Sequence, residues 1–189
     1  NDFIYAYWGG STAPPPCTTN GTTWTNGFAG VWHLDENSGN AIDCTTNKNN
    51  GTVTGATRGA AGAVLEAYSF DGSADYVGIS LNPGPTATIS AWASSAVASP
   101  DDMLWCVRGG SPGPDLFFYS GVISLNSWDG TGNPFCSQPA PMTQMRQYVT
   151  VISTDRTELY INGQLAGTAA YRSPDAAPFY LSSAAGYDW

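Results

Sequence analysis

From residue 30 onward, short runs of β-forming residues alternate with clusters of Gly, Asn, Asp, Ser and Pro. The runs cover residues 31–34, 52–54, 67–70, 76–79, 87–95, 103–107, 115–119, 122–128, 146–153, 158–161, 164–169 and 179–182. Turn pairs separate them: Asn50-Gly51, Asp71-Gly72, Gly109-Gly110, Asp129-Gly130 and Asn162-Gly163. Asn162-Gly163 lies between Glu158-Leu-Tyr-Ile161 and Gln164-Leu-Ala166, which predicts a two-residue type I′ hairpin with positive φ at both central positions. No stretch sustains a helical period, although residues 58–66 admit one brief helical turn. Many short strands with regular turns predict an all-β fold, an antiparallel sandwich or jelly roll.

Residues 1–29 differ from the rest. Phe3-Ile4-Tyr5-Ala6-Tyr7-Trp8 is a β-forming run that ends on Gly9-Gly10. A Thr/Pro/Gly-rich stretch follows, in which Pro14-Pro15-Pro16 favours an extended path. The expected organisation is therefore a strand plus linker over 1–29 and one sandwich domain over 30–189.

Composition narrows the function classes. Fifteen acidic residues against six basic ones give a formal net charge of -9. The one lysine, Lys48, and scattered arginines do not make the basic cluster that a phosphate backbone needs, so nucleic acid is not the expected partner. No run is long and apolar enough for membrane insertion. The four cysteines, Cys17, Cys44, Cys106 and Cys136, are even in number and form no close metal-binding pair. They read as a disulfide framework in an oxidising, extracellular setting. Three pairings exist, and proximity in sequence favours Cys17–Cys44 with Cys106–Cys136.

Five segments resemble, in order, motifs of the laminin G-like, concanavalin A-like jelly-roll family of bacterial and archaeal surface proteins. They are Val31-Trp32-His33-Leu34-Asp35-Glu36, the Asp- and Asn-rich stretch from Asp43 to Thr52, and Tyr68-Ser-Phe-Asp-Gly72-Ser-Ala-Asp-Tyr-Val77. Thr88-Ile-Ser-Ala-Trp92 and Thr157-Glu-Leu-Tyr-Ile-Asn-Gly-Gln-Leu165 complete the set. The resemblance implies a concanavalin A-like jelly roll with Trp32, Phe70 and Trp92 in its core. The family usually closes with one more strand after the position of Trp189. Two readings stay open: a sequence that stops short of that strand, or a neighbour that fills the open edge. Phe3, Ile4, Tyr5, Ala6, Tyr7 and Trp8 are the candidate donor in the second case, which would make the chain a subunit of a strand-exchanged filament.

Candidate sites follow from residue chemistry. Trp105, Tyr119, Asn126 and Trp128 combine aromatic platforms with an amide on adjacent runs, as a glycan-binding surface requires. Asp71, Asp75 and Asp129 sit in loops whose oxygens suit calcium, although the same residues cap turns. No cofactor is required by the sequence. Asn20-Gly-Thr22 and Asn50-Gly-Thr52 are acceptor sequons for N-linked sugar. No two acids are spaced two apart, the local signature of a glycosidase pair on a strand. The expectation is an extracellular, non-catalytic module at a cell surface that binds glycan or a surface protein and self-associates through an open edge. A truncated or divergent glycoside hydrolase is the alternative.

Overall fold

The computed structural model describes residue 21 and residues 23–96, 102–107, 114–119, 121–127, 134–139, 143–171 and 178–182. Its strands are β1 (Thr52–Thr54), β2 (Thr57–Ala61), β3 (Glu66–Ser69), β4 (Tyr76–Ile79), β5 (Ala87–Ala93), β6 (Asp102–Val107) and β7 (Pro114–Tyr119). They continue with β8 (Val122–Ser127), β9 (Pro134–Pro139), β10 (Arg146–Ile152), β11 (Arg156–Ile161), β12 (Gln164–Ala170) and β13 (Phe179–Ser182). All pairing is antiparallel. One sheet of seven strands runs β1-β4-β13-β6-β7-β8-β9, and a second of four runs β12-β11-β10-β5. The all-β antiparallel sandwich expected from the alternation is what forms.

The two sheets meet through alternate residues of their strands. Val77 and Ile79, Trp105 and Val107, Leu116 and Phe118, Ile123 and Leu125, and Phe179 line the seven-stranded side. Tyr148, Ile152 and Leu159 face them from β10 and β11. The Phe118 and Tyr148 rings meet edge-on at 5.6 Å and join the layers. Phe179 lies between two indoles, 6.2 Å from Trp105 and 6.4 Å from Trp32, in nearly parallel stacks. Trp32 and Phe70 pack against this core as expected.

Thr150 is fully buried, and its hydroxyl has no hydrogen-bond partner among the described residues. A buried unpartnered hydroxyl costs free energy that an isosteric methyl does not. Thr150→Val keeps the β-branch and is expected to raise stability by about 1 kcal/mol. A urea titration showing a lower midpoint for the variant would count against this reading.

Several local expectations are corrected. Residues 58–66 hold no helical turn. They belong to the β2–β3 hairpin, where Gly59 takes φ 76° at the register shift between Thr57 and Ala60. The run 31–34 is reduced to one bridge, Trp32 to Asp43, because Leu34 adopts φ 60° and breaks the extended path. β9 was not anticipated: a strand bounded by Pro134 and Pro139 is tolerated because it lies at the sheet edge. The Asn162-Gly163 hairpin forms as read, with φ of 49° and 76°.

The expected Cys106–Cys136 bridge does not form. Cys106 is a buried thiol on β6, and Cys136 lies on β9, three strands away. Three interstrand spacings amount to roughly 14 Å, twice the reach of a disulfide at about 7 Å between Cα atoms. Cys44 is disulfide-bonded. Cys17 lies outside the described residues.

Candidate functional site

The outer face of the four-stranded sheet is built by simple alternation. On β5, Thr88, Ser90 and Trp92 turn outward while Ile89, Ala91 and Ala93 turn toward the core. Gln147, Val149 and Val151 do the same on β10, and Glu158 and Tyr160 on β11. Register then sets the neighbours. Trp92 is opposite Gln147, Ser90 opposite Val149, and Val149 opposite Tyr160, which is opposite Leu165 on β12. Directly opposed residues bring their Cβ atoms within about 5 Å, so these side chains form one continuous surface.

Trp92 is 57% exposed and Leu165 is 55% exposed. The Trp92 core placement implied by the family resemblance is thus overturned: residue parity along β5 puts the indole on the face of Thr88 and Ser90. Beside it, the Gln147 side-chain amide donates to the Ser90 hydroxyl oxygen at 3.2 Å. The amide oxygen and the hydroxyl proton are left for a ligand. At the other side, the Tyr160 hydroxyl donates to Glu158 at 3.1 Å, and the Arg156 Nε donates to the other Glu158 oxygen at 2.8 Å. Arg156 also pairs with Asp155 at 3.0 Å. The Arg156 hydrogen bond holds the Glu158 carboxyl below its ordinary pKa, and the bond to Glu158 raises the Tyr160 phenol. The face therefore presents a flat aromatic surface, an amide, hydroxyls and one charge cluster of two carboxylates around a guanidinium.

Two polar clusters elsewhere hold the fold. Asp43 is fully buried. One carboxylate oxygen accepts the Val31 and Thr45 N–H groups at 3.0 and 2.9 Å, and the other accepts the Thr45 hydroxyl and the Asn49 N–H, each at 2.8 Å. Burial opposes ionisation here, but these donors outweigh it and the Asp43 pKa is lowered. The same loop grips the preceding segment: the Asn47 and Asn49 amides donate to the Ala29 carbonyl, and the Trp32 indole N–H to the Asn49 carbonyl. In the second cluster, the Tyr68 hydroxyl donates to Glu36 at 2.6 Å and accepts from Arg58. Arg58 lies over the Tyr68 ring and also donates to the carbonyls of Glu36 and Gly39. Burial first, then the bond to Glu36, pushes the Tyr68 phenol well above its usual range. The Tyr68 cluster was not foreseen, since Glu36, Arg58 and Tyr68 come from segments far apart in sequence, whereas most of the Asp43 cluster lies within the Asp- and Asn-rich stretch already singled out.

The anticipated residues are dispersed. Trp105 is 1% exposed and covered by Phe179, so its face is packed and not open to a sugar. Tyr119 and Asn126 lie on β7 and β8, with Asn126 in register with Asp115. Trp128 and Asp129 lie outside the described residues, as do Asn20, residues 3–8 and residues 183–189. Asp71 accepts the backbone N–H groups of Ser73 and Ala74, which hold its pKa down. Asp75 accepts the Asp71 N–H at 3.1 Å. A Cβ at residue 55 would come within 1.7 Å of the other Asp75 oxygen, so Gly55, at φ 74°, walls that carboxylate in. Both acids act as turn caps, and among the described residues no group of three or more His, Cys, Asp or Glu is placed to hold a metal. Asn50 is exposed, and its side-chain oxygen accepts the Asp43 N–H at 2.9 Å.

Fold and surface together define an antiparallel β-sandwich with an open aromatic and polar face on its smaller sheet. No family model matches the chain, and no curated protein does. Solved structures do. Domain 4 of AbnA, an extracellular arabinanase from Geobacillus stearothermophilus in complex with arabinotriose, matches 74% of this chain and 76% of its own at 17% identity, with a TM-score of 0.60. The Trypanosoma rangeli sialidase matches 83% of this chain at 15% identity and a TM-score of 0.63. The binding domain of Paraclostridial Mosquitocidal Protein 1 matches 80% at 16% identity and a TM-score of 0.58. This chain spans 27% of the sialidase and 42% of the mosquitocidal binding domain. At these identities the likeness is one of fold.

Proposed function

We propose that this chain is an extracellular, non-catalytic glycan-binding module, and that the outer face of the four-stranded sheet is its binding surface. One observation carries the reading: an indole more than half exposed on the edge strand β5, with a hydroxyl two residues away on the same strand and an amide opposite it on β10. Sugar rings present an apolar face for stacking and hydroxyls for hydrogen bonding, and this surface supplies both complements. The arabinanase domain solved with arabinotriose supports it as a neighbour in fold. The non-catalytic part of the reading is supported by the local engagement of Glu36, Asp43, Asp71 and Glu158 in hydrogen bonds.

Trp92→Ala tests the site. The indole is more than half exposed, so its loss is expected to leave the stability within about 0.5 kcal/mol of the parent. Binding to an immobilised polysaccharide that the parent retains should weaken about 10- to 100-fold, equivalent to about 1.4–2.8 kcal/mol. Retained affinity in a folded variant would move the site elsewhere. Release of reducing sugar by the parent protein would replace the non-catalytic reading with a hydrolase.

A further inference from the structure

We infer that the ligand of this face is an uncharged glycan chain lying across the strands, and that acidic glycans are rejected; the inference rests on the glycan-binding reading of the same face. The argument is one of charge and span. Arg156 is the one cation among the described residues in this sheet's outward rows. Its guanidinium is already shared between Asp155 and Glu158, at 3.0 and 2.8 Å. Two carboxylates around one guanidinium leave the cluster net negative, in a protein whose formal net charge is -9. A uronate or sialate would have to displace one of these acids and then sit against the same negative field. An uncharged sugar meets no such barrier, since Trp92, Gln147, Ser90, Tyr160 and Leu165 offer stacking surface, an amide and hydroxyls.

The span decides the size of ligand. Trp92 is on β5 and Leu165 on β12, at opposite edges of the sheet. Three interstrand spacings, roughly 14 Å, and an offset of two residues along β5 separate them. That distance fits several linked sugar units and exceeds a single ring. The strongly exposed apolar side chains sit on the two edge strands, with Gln147, Val149 and Tyr160 on the strands between them and Ser90 beside Trp92 on β5. A chain crossing the strands would stack at one end and slide over Leu165 at the other.

The experiment uses the full chain in affinity electrophoresis through gels containing arabinan, a mixed-linkage β-glucan, polygalacturonate or heparin, with and without added salt. The expected result is retardation by an uncharged polymer, insensitive to salt and reduced at least tenfold in Trp92→Ala. Glu158→Gln should create salt-sensitive retardation by polygalacturonate, because Arg156 then loses one competing carboxylate. Retardation of the parent by a polyanion alone, lost in Trp92→Ala, would overturn the uncharged ligand while keeping the face as the site. Retardation by an uncharged polymer that Trp92→Ala and Leu165→Ala both leave intact would overturn the site. Retardation by none of the four polymers would overturn both.

Discussion

Trp105→Ala is expected to lower the stability of the protein by about 3–5 kcal/mol, the range for emptying a large aromatic site in a close-packed core. Trp105 is 1% exposed on β6, is opposite Leu116 on β7 and Leu181 on β13, and stacks on Phe179. Phe179 stacks in turn on Trp32, so the indole supports a column that ties the N-terminal segment to the seven-stranded sheet. Removing it leaves a void bounded by strands from both sides in the chain, with little freedom to collapse. Domains of this kind have about 5–15 kcal/mol in total, so the variant should unfold at a much lower urea concentration. The measurement also separates two roles for this residue. A variant of near-parent stability that had lost glycan binding would return Trp105 to the surface platform suggested by its sequence neighbours.

Asp43→Asn is expected to cost about 2–4 kcal/mol, because hydrogen bonds to a charged group contribute about 1.5–3 kcal/mol each. The buried carboxylate accepts four donors, from Val31, Asn49 and twice from Thr45. An amide of the same shape keeps one acceptor oxygen but sets an NH2 against the Asn49 N–H and the Thr45 hydroxyl. The loop from Asp43 to Gly51 would loosen, and with it the Asn47 and Asn49 contacts that hold residues 28–29. The pH dependence follows in sign. The folded-state pKa of Asp43 lies below its ordinary value, while in the unfolded chain it is about 3.9. Its contribution is complete above the unfolded value and is lost as pH falls through the folded one. Urea titrations from neutral pH down to pH 2 should show the parent losing stability below about pH 4. The two curves should converge at the acid end, with the variant flatter. Parallel curves would mean that Asp43 is not the ionised cap described.

Much of the architecture was legible in the chain because it is local. Period-two alternation placed most of the strands, and Asn162-Gly163 set its hairpin, since positive φ at two successive positions favours those residue types. Asp71 and Asp75 were readable as turn caps for the same reason: their partners are two to four residues away. β9 escaped because Pro134 and Pro139 argue against a strand wherever both edges must be paired, and only the sheet order shows that β9 is at an edge. The residues from 58 to 66 misled because a short stretch containing two glycines carries no period long enough to separate a turn of helix from a hairpin.

The placement of the aromatic residues shows the division most sharply. The sequence by itself determined that Trp92 and Trp105 lie on strands, and it held a cue for Trp92: Thr88 and Ser90 share its parity, and a row of hydroxyl residues favours the solvent face. For Trp105 no such cue exists, because both of its neighbours, Leu104 and Cys106, are themselves apolar. Which side of β6 faces the core was decided only when β13 and β7 paired on either side of it and brought Phe179 and Leu116 against the indole. The candidate face needed the same step. Trp92, Gln147, Tyr160 and Leu165 are spread over 74 residues of chain, and they become one surface because β12, β11, β10 and β5 pair in that order. Local chemistry decides which side chains alternate; pairing between distant strands, driven by burial of the other face, decides which of them meet.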